Sequence, residues 1–145
     1  MTTDESVKAA RLFVDKFNAD YEAKHFAFEQ QFWGTKMALS DTPEVTYSAE
    51  NLSKTKADME NLLSNPDNRL QAEELRKGLP PGADESLVKT LDIIIKTCRC
   101  YDMSSAPIAK RIREETAKLE NGLEHARNRM TLGYNKSDGT FCETS

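Results

Sequence analysis

The feature that most constrains this chain is an apolar residue every three or four positions, cut into five stretches by prolines, glycines and short polar clusters. That period lines apolar side chains along one stripe of an α-helix, whereas a half-buried strand needs a period of two. In the first stretch, residues 6–40, Ala10, Val14, Phe17, Tyr21, Phe28 and Phe32 recur at steps of three, four or seven, predicting a helical rod roughly 50 Å long. Thr42-Pro43-Glu44 then offers a cap, a first-turn proline and an acid for the helix dipole, so a second helix is expected over 43–64. Its stripe is Val45, Ala49, Leu52, Met59 and Leu62 or Leu63, with Lys56 as a polar gap.

Asn65-Pro66 repeats the cap-plus-proline arrangement and predicts a short third helix over 67–77, carrying Leu70 and Leu75 and stopped by a left-handed Gly78. After the Leu79-Pro80-Pro81-Gly82 connector, Asp84 or Ser86 caps a fourth helix over 85–103. Its positions Leu87, Val88, Leu91, Ile94, Ile95 and Cys98 are the most apolar of the chain and mark the core centre. Ser104 and Ser105 precede Pro107 and a fifth helix over 106–132, with Ile108, Ile112, Leu119, Leu123 and Met130 as its stripe and Gly133 as its stop. Residues 134–145 are expected to be a turn and tail, since Asp138-Gly139 is a tight-turn signal. The expected fold is all-α: about five helices in an up-down bundle over residues 1–133, with helices one, two, four and five as antiparallel neighbours because their connectors are short.

At 145 residues the chain has room for one modest core. Its 24 acidic and 20 basic residues give a net charge of −4, which is no electrostatic footprint for nucleic acid. The longest aliphatic run, Ile93-Ile94-Ile95, predicts no membrane span. Met1-Thr2-Thr3-Asp4-Glu5 lacks the features of a secretory signal, and Cys98, Cys100 and Cys142 form no disulfide framework, so a cytoplasmic location is expected.

Candidate chemistry is sparse. His25 and His125 lie on different helices and neither opens an H-E-x-x-H run, so no catalytic or metal-binding residue is assigned in this chain. Glu22, His25 and Glu29 share a helix face at spacings a metal could use, although such triplets are common on solvated flanks. Cys98-Arg99-Cys100 has one intervening residue where thioredoxin-type chemistry uses two, which favours a core role for Cys98 and an incidental Cys100; a cysteine redox sensor is a third functional class. Lys110, Arg111, Arg113, Arg127 and Arg129 are candidates for contact with a peptide or partner, interspersed with glutamates at spacings that also suit a solvated face. The first helix concentrates Phe13, Phe17, Tyr21, Phe26, Phe28, Phe32 and Trp33, and Phe26 opposite Phe28 implies that this helix touches partners on two sides.

The run Ala10-Arg11-Leu12-Phe13, followed by Phe17-Asn18, Glu22 and Trp33, resembles the opening helix of the angiotensin-converting-enzyme-like gluzincins, zinc peptidases related to the helical oligopeptidases. Ile108-Ala109-Lys110-Arg111 opening a long helix is similar to a later segment of the same proteins. The resemblance implies an N-terminal lid and side wall over a deep channel, with zinc ligands far downstream. The expected function is therefore a cleft-covering segment of a zinc metallopeptidase, non-catalytic by itself, with no cofactor of its own and zinc in a longer protein that continues beyond Phe141-Cys142-Glu143-Thr144-Ser145. Its partner would be peptide substrate or the catalytic region. The alternative is a non-enzymatic helical module binding a partner helix or peptide, with dimerisation through exposed apolar surface.

Overall fold

A computed structural model describes residues 3–103 and 107–143. They form five helices, α1 (Thr3–Lys36), α2 (Ala49–Ser64), α3 (Pro66–Gly78), α4 (Glu85–Tyr101) and α5 (Pro107–Asn128), then a hairpin of β1 (Gly133–Asn135) and β2 (Phe141–Glu143). The fold is all-α apart from that hairpin. Ser104 and Ser105, expected to lead into the fifth helix, lie outside the described residues.

At 34 residues α1 is the long rod expected. Asp4 and Glu5 in its first turn and Lys36 in its last suit the helix dipole. It ends four residues earlier than the periodicity suggested. Ala38 takes a left-handed conformation (φ 50°), and the Leu39 amide donates to Gly34 O at 2.9 Å, closing a Schellman-type cap.

The second helix also departs from expectation, beginning at Ala49 rather than residue 43. The capping groups at 41–42 are consumed by a local turn. Thr42 and Val45 exchange backbone hydrogen bonds at 2.9 and 3.3 Å, Thr42 Oγ1 accepts from the Val45 amide, and Asp41 Oδ1 accepts from the Tyr47 amide at 2.9 Å. Ser48 is the true N-cap, accepting from the Asn51 amide at 3.0 Å. Buried Gln31 of α1 pins this loop, donating to Thr46 O at 3.0 Å and accepting from the Ser48 amide.

Asn65 caps α3 as expected, with Pro66 at its first turn. Gly78 ends α3 without adopting positive φ, contrary to expectation. Pro80 already bars Leu79 from the helical region, so no left-handed residue is needed. The positive φ falls instead at Gly82, inside the turn that the Ala83 amide closes onto Pro80 O. Asp84, not Ser86, caps α4: its Oδ1 accepts from the Ser86 amide at 3.0 Å while Oδ2 accepts from Arg11 at 2.9 Å, which ties α4 to α1.

The core lies where α1, α3 and α4 meet beside the end of α2. Ala10, Val14 and Phe17 pack with Leu63, Ala72, Leu87, Leu91, Ile94, Ile95 and Cys98, and α4 supplies half of this cluster. Burying such side chains is worth roughly 1.5–3 kcal/mol each. Across the top of the core Glu73 accepts from Arg99 Nη2 at 2.8 Å and from Arg69 at 3.2 Å, while Arg69 Nη2 reaches Asp102 at 3.1 Å. The Arg99 and Arg69 guanidinium groups hold the Glu73 carboxyl below its ordinary value, with desolvation opposing them.

The fifth helix is the main correction. It packs mainly on α2. The face it turns inward is small and polar: Ala117 is buried, Asn121 donates to Ser53 Oγ at 2.7 Å, Lys56 approaches Glu120 at 3.5 Å, and Arg113 lies 4.0 Å from Glu60 and over the Tyr101 ring. Its expected core stripe, Ile108, Ile112, Leu119 and Leu123, faces solvent, as does Met130 beyond it. The helix stops at Asn128, short of Gly133, which instead pairs with Glu143 in the hairpin. The turn anticipated at Asp138-Gly139 therefore joins two strands, with Gly139 at φ 83° and the Lys136 amide donating to Thr140 O at 2.8 Å.

Candidate interaction surface

Two helices carry an apolar stripe on the side away from the bundle, and on α1 it is a second one. On α1, Leu12, Ala19, Phe26 and Trp33 repeat every seven residues, and Met37 follows just past the helix end; all are exposed, Phe26 at 67%. The inner stripe of the same helix is displaced by about half a turn of the wheel, so α1 is apolar on two opposite sides. Phe28, expected to oppose Phe26, is half-buried and 6.0 Å from Phe32, which meets Trp33 edge-on at 5.3 Å. Trp33 Nε1 donates to Glu29 at 2.9 Å, so its ring lies along the surface.

On α5 the outer stripe is Ile108, Ile112, Leu119 and Leu123, each more than half exposed and Leu119 at 74%. Why α5 turns this way follows from what α2 offers. The α2 face available to it is Ala49, Ser53, Lys56, Ala57 and Glu60, small and charged side chains that match Arg113, Ala117 and Asn121 better than leucines. Two shallow grooves of about 540 and 610 Å³ flank this contact.

The basic residues predicted to hold a peptide do not converge. Lys110 stands at the rim of one groove with Glu60, Arg113 and Glu114. Arg113 is engaged with Glu60 and Tyr101. Arg111 is exposed and 3.4 Å from Glu115, an i to i+4 pair, while Arg127 and Arg129 are exposed at the far end.

Glu22, His25 and Glu29 form no ligand set. His25 stacks on Tyr21 and sits 3.7 Å from Glu29, whose other oxygen accepts from Trp33. Among the described residues no group of three His, Cys, Asp or Glu could hold a metal ion. The side chain of His125 lies outside them. Cys98 is buried in the core and burial pushes its thiol up, with Arg69 opposing; Cys100 is exposed and Cys142 lies half-buried on β2. No described helix is long and apolar enough to cross a membrane.

Sequence reasoning missed the outward direction of the α5 stripe. The signal available for it was the partner face: the α2 residues lying off its own apolar stripe are too polar and small to bury four large aliphatic side chains. No family model, curated protein or solved structure matches the chain.

Proposed function

We propose that this chain is a non-enzymatic helical interaction module that presents apolar helix faces to a partner helix or peptide, in a cytosolic setting. The outward stripe of Ile108, Ile112, Leu119 and Leu123 carries this reading. Contiguous apolar surface of this size on a polar chain marks a contact site more often than idle surface. Amphipathic helices laid along such a stripe bury anchors at i, i+3, i+4 and i+7.

Displaying a library of helical peptides against the purified chain tests it. Enrichment of peptides with that anchor spacing, whose binding is lost in Leu119→Glu, supports the module. Peptides that bind Leu119→Glu as well as the parent, or no enrichment, refute it.

A second reading rests on α1, which is apolar on both sides and so suits a wall between two layers. It is the reading implied by the gluzincin resemblance: a cleft-covering segment of a zinc metallopeptidase whose metal is held elsewhere in a longer protein. An H-E-x-x-H helix in the same open reading frame supports it, and a frame without one rules it out.

A further inference from the structure

We infer that the outer stripe of α5 is a self-association site, on which a second copy of this chain lies antiparallel. The inference rests on the interaction-module reading and names its occupant. Three observations carry it. The first is spacing: Ile108, Ile112, Leu119 and Leu123 are separated by four, seven and four residues, a pattern that is the same read in either direction. A two-fold axis across the helix midpoint, between Glu115 and Thr116, therefore brings Ile108 level with Leu123 of the second copy and Ile112 level with Leu119. Such self-complementarity is what an isologous dimer interface requires.

The second is charge. The first turns of α5 carry Lys110 and Arg111 and no acid, so they oppose the dipole of their own helix. Antiparallel pairing sets the C-terminal end of the second copy's α5, where the helix dipole is negative, beside that basic start. A parallel pair would align both dipoles. The third is area. Covering four aliphatic side chains removes roughly 100 Å² each from water. With the aliphatic stems of Arg111 and Lys118 the two copies together bury on the order of 1,000 Å², the low end for a specific interface. The dimer is accordingly weak and reversible, with a dissociation constant around micromolar.

Sedimentation equilibrium across about 1 µM to 1 mM chain tests this together with directed cross-linking. The parent is expected to pass from monomer to dimer, and Leu119→Glu to remain monomeric with unchanged far-ultraviolet circular dichroism, while Phe26→Glu on α1 still dimerises. Orientation is read in a background carrying Cys100→Ser and Cys142→Ser. With an added thiol oxidant, Ile112→Cys mixed with Leu119→Cys should form a mixed disulfide at least several-fold faster than either variant forms a disulfide with itself.

A parent that stays monomeric throughout overturns the inference, as does a dimer lost in Phe26→Glu but kept in Leu119→Glu. Preferential self-linking of Ile112→Cys overturns the antiparallel arrangement. A monomer that still binds displayed helical peptides through Leu119 refutes self-association and leaves the module reading standing. A monomer that binds none refutes both.

Discussion

Two leucines in similar amphipathic patterns are expected to respond oppositely to the same truncation. Leu91 of α4 has no exposed surface and sits among Ala10, Val14, Leu87 and Ile95. Leu91→Ala removes three carbon atoms from an enclosed site, losing their transfer free energy and leaving a cavity that the helices around it close only partly. About 3–4 kcal/mol of destabilisation follows, or a fall in melting temperature of roughly 10–15 °C for a domain of this size. Leu119 of α5 is 74% exposed, so Leu119→Ala loses little burial and gains slightly in helix propensity, for a net change within about 0.5 kcal/mol. Urea unfolding well below micromolar concentration, followed by the fluorescence of Trp33, measures both below the range in which copies associate. A loss above about 1.5 kcal/mol at Leu119, or below about 1 kcal/mol at Leu91, would refute the placement of the core.

Ala38→Gly should stabilise the chain by about 1 kcal/mol, because Ala38 holds a left-handed conformation that costs an L-residue with a Cβ about that much; thermal melts check the sign. Gly34→Ala should destabilise by roughly 1–3 kcal/mol and loosen the loop before α2, since a Cβ there would sit inside the Tyr47 ring, and amide exchange at Ser48 and Asn51 reports the loosening. A thiol reagent should modify Cys100 and Cys142 in the native protein and reach Cys98 only on unfolding, given its burial and raised pKa. Because the folded Glu73 carboxyl is held below its unfolded value, its contribution is present above about pH 4.5 and lost as pH falls through the folded value. Glu73→Gln should flatten that part of the stability–pH profile, and an unchanged profile would remove Glu73 from the account.

Much of the core was legible. In α4 the period is strong and flanked by a prolyl connector and a capping aspartate, so Leu87, Leu91, Ile94, Ile95 and Cys98 point inward in sequence and structure alike. Asn65-Pro66 marked the start of α3 for the same reason. Thr42-Pro43 misled because the groups that cap a helix also close a turn, and here Val45 and Tyr47 supply the amides first. The α5 stripe misled differently. A periodic apolar face states that something covers it, and nothing in a single sequence separates the chain's own core from another surface. Arg113 and Asn121, which look like solvated positions, are the ones that face α2. The hairpin was half visible: the Asp138-Gly139 turn is a local signal, whereas pairing of Tyr134 with Cys142 depends on a second strand only three residues long.

The outward stripe of α5 is most directly tested by hydroxyl-radical labelling of single side chains, read by mass spectrometry on dilute, folded protein. Labelling of Leu119 and Leu123 several-fold faster than of Leu63 and Leu91 is the predicted result. Rates at Leu119 and Leu123 as slow as at Leu91 would place the stripe inside the fold and contradict the account.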